Sequence, residues 1–134
     1  MTSADILSSS GKYPERVKLA DAYVRANSAE TARRVSMFLT SFNSVSKESK
    51  ERSITSGFRD KMSNTRARGA KASCHLFGMA VDIEDKDGRL DAFCVANEDL
   101  LKHFALWVES PKHTPGWCHM QTRPVGTGTH IFLP

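Results

Sequence analysis

Two histidines and an aspartate stand at positions from which they could hold a metal ion. His75 and Asp82 lie seven positions apart, and His119 follows later in the chain. Two imidazoles and a carboxylate suit a divalent metal of borderline softness, and three protein ligands leave a fourth position open, as in catalytic zinc sites. We therefore predict that these residues bind one metal ion per chain, namely Zn²⁺. The alternative is that the histidines are ordinary polar residues and that Asp82 makes only local contacts.

The segment that carries the first two candidate ligands must bend between them. Residues 79–83 alternate in polarity and are β-branched at two positions, which predicts a short strand. The alternation places three large apolar side chains on one face and Asp82, with a small neighbour, on the other. A separation of seven would point His75 to the opposite face of a straight strand. We therefore expect a bend between the two ligands at Gly78, because glycine tolerates the backbone conformations that a bend requires.

The third candidate ligand lies in a second predicted strand, residues 117–121, which places His119 and Gln121 on one face and Cys118 on the other. The chain has three cysteines, Cys74, Cys94 and Cys118, and they form no CxxC pattern. We expect free thiols. Strand alternation argues against cysteine as a ligand, because a cysteine next to a ligand points away from the metal.

The spacing of these residues resembles the signature of the M15 zinc peptidases. That superfamily includes D-alanyl-D-alanine carboxypeptidases and dipeptidases, phage L-alanyl-D-glutamate endolysins and the Hedgehog signalling domain. The resemblance spans about residues 53–121. It implies one domain over residues 1–134 with an α+β fold, in which a small, mainly antiparallel sheet carries the metal and packs against N-terminal helices. The residues that carry the resemblance are Ser73, His75, Gly78, Ala80, Asp82, Trp117 and His119.

The resemblance also implies roles for residues around the metal. Residues 53–59 are predicted to be a strand that runs into a turn, and Arg59 at its end matches an arginine that binds a substrate carboxylate or polarises the scissile carbonyl. Many relatives carry an acid three residues before the last histidine, where this chain has Gly116. We therefore predict that Glu109, in a Hedgehog-like arrangement, is the general base. Ser73 and His113 are predicted to contact substrate.

Composition limits the partners that the chain can have. A length of 134 residues fits a single domain, and the net charge of +4 favours an anionic partner. We expect no nucleic-acid binding, because the chain has neither clustered aromatic residues nor a recognisable reading helix. We expect no membrane insertion either, because no apolar run approaches the ~20 residues that a membrane helix needs.

The remaining elements are predicted to form the scaffold. Apolar residues at helical spacing predict helices over 13–27, 31–42 and 97–108. Residues 60–72 are predicted to be a basic loop and residues 130–133 an edge strand, and residues 90–93 are predicted to continue the preceding segment briefly. Residues 1–12 are predicted to be a flexible N-terminus. The acids of residues 84–88 lack the spacing of a calcium loop, so we predict a turn there.

These observations predict a zinc peptidase that hydrolyses the stem peptides of bacterial peptidoglycan, as a phage-encoded endolysin or a virion-associated lysin. Residues 1–12 lack the apolar core of a signal peptide. We therefore expect a monomer that is made in the bacterial cytoplasm without a signal peptide and acts on the cell wall after release or as part of a virion. The alternative function is a non-catalytic metal-binding or virion structural module with the same fold. The displaced acid at Gly116 favours that alternative.

Overall fold

The computed structural model describes residues 1–48 and 51–134. It contains a five-stranded sheet with the strand order β1-β2-β4-β3-β5. All neighbouring strands are antiparallel except β3 and β5, which are parallel. The predicted α+β fold with a mainly antiparallel sheet is confirmed. The strands are β1 (Ile54–Ser56), β2 (Ala80–Glu84), β3 (Trp107–Glu109), β4 (Trp117–Gln121) and β5 (Ile131–Phe132).

One face of the sheet is apolar and packs against helices. Val81 and Ile83 of β2 and Met120 of β4 are fully buried on this face, together with side chains of the long helix α2. Alternation along each strand leaves the opposite face to polar residues, and the candidate site lies there. The helices are α1 (Ser3–Ser8), α2 (Ala22–Ser46), α3 (Lys61–Arg66), α4 (Arg89–Ala96) and α5 (Glu98–Phe104), with short 3₁₀ helices at Pro14–Leu19, Cys74–Phe77 and Pro111–His113.

The N-terminal helices differ from the prediction. The sequence pattern predicts two α-helices over 13–27 and 31–42, whereas the chain forms a 3₁₀ turn and then one long helix, α2. Asp21 begins α2, because its side chain accepts a hydrogen bond from the backbone N–H of Val24. The helix continues through Ser28, whose side chain is fully buried. The supposed break at residues 28–30 is therefore a continuous part of α2, in which Ser28 packs inward.

The first residues of the chain are an ordered helix rather than the flexible segment that we expected. Thr2 and Asp5 form a reciprocal capping box at the start of α1. Ile6 and Leu7 are buried, and Ile6 joins the main core. The short helix α1 has only two large apolar residues, Ile6 and Leu7, and two residues are too few to show a helical period in the sequence.

Three further segments were predicted with the wrong element. The helix predicted over 97–108 ends at Phe104, because Ala105 adopts a left-handed conformation and the chain continues into β3. Residues 90–93, predicted to continue the preceding segment, lie in α4. The predicted basic loop over 60–72 contains α3. Among residues 1–48 and 51–134, no helix is both long enough and apolar enough to cross a membrane.

Candidate metal centre

A single row of side chains crosses the polar face of the sheet. The register pairs Asp82 of β2 with His119 of β4, and Val108 of β3 with Met120 of β4. Glu109, one step further along β3, therefore lies beside His119, and it pairs with Phe132 on its other side. Residues paired across a sheet share one face. The row consists of Ser56, Asp82, His119, Glu109 and Phe132.

His75 reaches this face from outside the sheet. It lies in the short 3₁₀ helix just before β2, and Gly78 ends that helix with a φ of +72°. A Cβ on Gly78 would lie only 2.3 Å from Ser28 Oγ of helix α2, so the bend needs a glycine for both conformation and space. The predicted bend at this position is confirmed. Ser73 begins the turn, where its hydroxyl accepts a hydrogen bond from the backbone N–H of His75.

The three predicted ligands converge on one point. His75 Nε2 lies 3.3 Å from Asp82 Oδ1, and His119 Nδ1 lies 2.8 Å from the same oxygen. One ligand atom from each residue can be chosen so that all three lie within 4.8 Å of one another. All three side chains are buried or nearly so. Within the described ranges, no other group of three histidine, cysteine or acidic residues meets this geometry.

The outer nitrogen of each imidazole faces a fixed acceptor. The backbone carbonyl of Gly57 lies 2.7 Å from His75 Nδ1, so this nitrogen carries a proton and donates. Gln121 Oε1 lies 2.9 Å from His119 Nε2. The Gln121 amide donates its own N–H to the carbonyl of Arg123 at 2.9 Å, which fixes its oxygen toward the histidine. His119 Nε2 is therefore also a donor, and each inner nitrogen presents a lone pair unless a second proton binds there.

This arrangement fits a metal ion. Two imidazole lone pairs and the carboxylate oxygen Asp82 Oδ1 are all acceptors, and they face one another without a donor between them unless an imidazole takes a second proton. A cation in their midst satisfies all three groups, and acceptors bonded to the outer nitrogens orient histidine ligands in many metal sites. Nitrogen and oxygen donors of this kind suit Zn²⁺.

The electrostatics of the site also favour a positive charge. Burial raises the pKa of the Asp82 carboxyl, but the charge of His75 and hydrogen bonds from both imidazoles outweigh burial, so the pKa lies well below its usual range. Burial lowers the pKa of His119. The hydrogen bond to Asp82 and the charge of Asp82 together have a larger, opposite effect, so the pKa of His119 is raised overall. Asp82 therefore remains ionised and stabilises a cation, whether a proton or a metal ion carries the charge.

Arg59 lies at the edge of the site and is mostly buried. Its Nη2 lies 3.4 Å from Asp82 Oδ2, the carboxylate oxygen that faces away from the imidazoles. Its Nε donates to Ser56 Oγ at 2.9 Å, and its Nη1 donates to Asn64 Oδ1 at 3.3 Å. The structure therefore places the predicted arginine in contact with a candidate metal ligand. Sequence reasoning gave Asn64 and Ser56 no role, because neither residue suggests a mechanism before its contact with Arg59 is known.

The other predicted site residues occupy different positions. Glu109 lies on the polar face of β3 beside His119, and its negative charge contributes to the raised pKa of His119. His113 is exposed in the loop between β3 and β4. Its substrate contact stays a prediction, as does that of Ser73, whose hydroxyl caps the turn that carries His75.

The three cysteines lie outside the candidate centre. Cys74, Cys94 and Cys118 are buried free thiols, as predicted. Cys118 lies on the core face of β4, where its Sγ is 4.0 Å from Cys94 Sγ. The hydrogen bond between these two thiols, and to a lesser degree burial, raises the pKa of the Cys118 thiol. A neutral thiol in the core does not compete for a metal on the other face of the sheet.

Comparison with known proteins places the chain in a family. A family model described as Peptidase M15 matches residues 18–103, which is more than half of the chain. No curated protein and no solved structure matches significantly. The matched region includes Arg59, His75 and Asp82 and ends before Glu109 and His119. The chain belongs to the M15 peptidase family, and it is therefore a peptidase, a hydrolase of peptide bonds.

Proposed function

We propose that this M15 family member is a zinc-dependent peptidase that hydrolyses the stem peptides of bacterial peptidoglycan, as a phage-encoded endolysin or virion-associated lysin. The observation that carries the proposal is the convergence of His75 Nε2, Asp82 Oδ1 and His119 Nδ1, with both outer imidazole nitrogens facing fixed acceptors. A buried set of three protein ligands, which leaves the fourth position of a tetrahedral zinc ion free, is typical of hydrolytic rather than structural zinc sites.

Each residue of the site has a distinct task in this proposal. When bound, zinc acidifies an attacking water and polarises the scissile carbonyl. Glu109 accepts the proton of that water and delivers it to the leaving amine. Arg59 donates N–H groups to a carboxylate or to the developing oxyanion of the substrate. The position of Glu109, on the strand next to His119 and two strands from Asp82, supports this assignment.

The proposed substrate follows from family membership and charge. Stem peptides of peptidoglycan carry free carboxylates, and a basic protein with a mostly buried arginine beside its candidate metal site is suited to them. We propose that the protein is a monomer, is made in the bacterial cytoplasm and acts on the cell wall after release or as part of a virion. A metal-binding module without activity is the second candidate, favoured by Gly116 at the position where many relatives carry the acid.

Digestion of purified peptidoglycan tests the function. Wild-type protein loaded with zinc should release peptide fragments, and mass spectrometry of the fragments should name the bond that is cleaved. Glu109→Gln should bind zinc as the wild type does and lose at least about 100-fold in rate, since general base catalysis contributes about that much. The matched control is Glu15→Gln, because Glu15 is an exposed glutamate outside the sheet. If both wild type and Glu109→Gln hold zinc and neither releases fragments from any wall type, the protein is a binding module.

A further inference from the structure

We infer that Asn64 is a positioning residue that holds the Arg59 guanidinium in the orientation in which it meets substrate, and that Gly69 keeps this amide in place. The inference deepens the proposed function and rests on it. It assigns a role to the segment between β1 and the 3₁₀ helix of His75.

The argument starts from the hydrogen bonds of Arg59. A guanidinium group has five N–H donors in a rigid plane. Three of them are used, toward Ser56 Oγ, Asn64 Oδ1 and Asp82 Oδ2. Among the described residues, one N–H on Nη1 and one on Nη2 are left without a partner. This leaves a donor on each terminal nitrogen for a carboxylate or carbonyl oxygen of a bound peptide.

The three partners do not contribute equally to this orientation. Asp82 is shared with the metal site, and Ser56 contacts only Nε, which lies on the stem side of the group. Asn64 contacts Nη1, so it restrains rotation of the fork relative to the sheet. An arginine held only at Nε and Nη2 would depend on a carboxylate oxygen whose residue also serves the metal.

Asn64 is itself held firmly by the loop that follows it. The side chain is buried, and its Nδ2 donates to the carbonyl of Ala70 at 2.9 Å. This bond fixes the amide with Oδ1 toward Arg59. The backbone N–H of Gly69 donates to the carbonyl of Asn64 at 2.9 Å. That bond is to the backbone carbonyl of Asn64, so the loop closes around the residue, while the Ala70 carbonyl holds the Nδ2 end of the side-chain amide.

Gly69 is required at this point because there is no room for a side chain. A Cβ on Gly69 would lie 2.0 Å from Asn64 Oδ1 and 3.1 Å from Arg59 Nη1. Any other residue would displace the amide oxygen that accepts from Arg59 or move the loop away from it. Asn64, Gly69 and Arg59 thus form one packed unit beside Asp82.

A double-mutant cycle tests whether Asn64 acts through Arg59. The substrate is a mixture of soluble muropeptides released from peptidoglycan by a glycosidase, and kcat and KM are measured separately. Asn64→Ala should lower kcat/KM by about 10-fold or more, since a small misplacement of a binding group is costly. In the Arg59→Ala background the same change should have almost no further effect. Additive losses would overturn the inference, because a residue that only stabilises the fold acts independently of Arg59.

Conservative variants separate the two contacts of Asn64. Asn64→Asp keeps an oxygen for Arg59 Nη1 and loses the donor to Ala70, whereas Asn64→Leu loses both. We expect Asn64→Asp to retain substantially more activity than Asn64→Leu, and equal losses would contradict the inference. Gly69→Ala should behave as Asn64→Ala does within the cycle. Thr65→Ala is the matched control, because Thr65 is an exposed neighbour on α3 whose hydroxyl bonds only to the carbonyl of Lys61 in the same helix. Its kinetics should match the wild type.

An NMR measurement separates failure of this inference from failure of the proposed function. Rotation of the Arg59 guanidinium about its Cζ–Nε bond can be followed by ¹⁵N exchange without any substrate. Rotation should be slow in the zinc-loaded wild type and clearly faster in Asn64→Ala and Asn64→Leu, since both variants lose the acceptor for Arg59 Nη1. If the wild type cleaves nothing but rotation follows this order, the proposed function fails and the positioning role stands. If rotation is the same in all three proteins, the inference is wrong.

Discussion

At the scale of single residues, the candidate centre is defined by the acceptors around it as much as by its ligands. The carbonyl of Gly57 and the amide oxygen of Gln121 fix which nitrogen of each histidine faces Asp82. Such outer contacts set the tautomer and the ring orientation of a histidine ligand. Sequence alternation places Gln121 on the same face as His119, but the contact becomes apparent only with the backbone turn at Arg123 that orients the amide.

Replacing Gln121 with leucine should weaken metal binding. Leucine removes the acceptor for His119 Nε2, so the ring can adopt the tautomer that places a proton on the inner nitrogen. We expect zinc affinity to fall by about 10- to 100-fold, measured by competition with a chromophoric chelator. Gln121→Glu keeps an acceptor and should stay near the wild-type affinity. Equal affinity of the leucine variant and the wild type would show that the acceptor has no influence on the metal.

At the scale of elements, three parts of the chain meet at Gly57. Its carbonyl accepts from His75, and its N–H donates to Ser9 Oγ at the end of α1. A Cβ on Gly57 would lie 2.1 Å from the backbone oxygen of Ile6. The N-terminal helix therefore packs against the segment that orients a candidate ligand. This contact explains why a region expected to be flexible is ordered.

Gly57→Ala should disturb both the fold and the metal site. The added methyl group must push α1 away from the end of β1, and we expect a loss of about 1–3 kcal/mol in the free energy of unfolding, measured with urea. The displaced carbonyl should also weaken zinc binding. Gly126→Ala is the control, because a Cβ there meets no atom within 4 Å, and its stability should change by less than about 0.5 kcal/mol. Similar stabilities for the two variants would contradict this packing.

The first turn of α4 contains a buried acid that should make stability depend on pH. Burial, together with the charge of Asp85, raises the pKa of Asp91 to about 6, despite hydrogen bonds from Cys118 and Thr114. Asp91 Oδ1 is buried and has no hydrogen-bond partner among the described residues. A raised pKa in the folded state means that folding favours the protonated form. The contribution to stability is therefore complete below the unfolded pKa of about 3.9 and is lost as the pH rises through about 6.

Asp91→Asn should remove this dependence. We expect the free energy of unfolding of the variant to rise relative to that of the wild type between pH 4 and 6. Above pH 6 the variant should be more stable by on the order of 1–2 kcal/mol. Urea unfolding at a series of pH values measures the difference. Asp99→Asn, at an exposed position in the first turn of α5, should leave the pH profile unchanged. Parallel profiles for Asp91→Asn and the wild type would contradict burial of an ionisable carboxyl at this position.

The strands near the site could be predicted from sequence because apolar and polar residues alternate along them. The segments around β2 and β4 show this alternation clearly, and so the face that carries Asp82 and His119 follows from sequence. The helices were less predictable. The division of α2 was wrong, because Ser28 resembles a break in the sequence but is buried against Gly78. The role of Asn64 depends on a loop closure that no local pattern encodes.

At the scale of the whole molecule, the sheet is divided into an apolar face and a polar face. Helices cover the first face, and the row from Ser56 to Phe132 crosses the second. Strand order explains how residues far apart in sequence meet, because β4 lies between β2 and β3. The central pair of strands supplies Asp82 and His119, and the neighbouring strand supplies Glu109. Two of the three candidate ligands and the proposed base therefore stand on one sheet, and His75 joins them from the 3₁₀ helix just before β2, which gives the preorganised arrangement that catalysis requires.

X-ray absorption at the zinc edge of the loaded protein tests the central claim most directly. The account predicts one zinc per chain in a shell of about four nitrogen and oxygen atoms at about 2.0–2.1 Å, with the multiple-scattering pattern of two imidazoles. His119→Ala should lose most of the zinc or show a single imidazole. A sulfur atom at about 2.3 Å, or stoichiometric zinc with an unchanged spectrum in His119→Ala, would place the metal elsewhere and contradict the site.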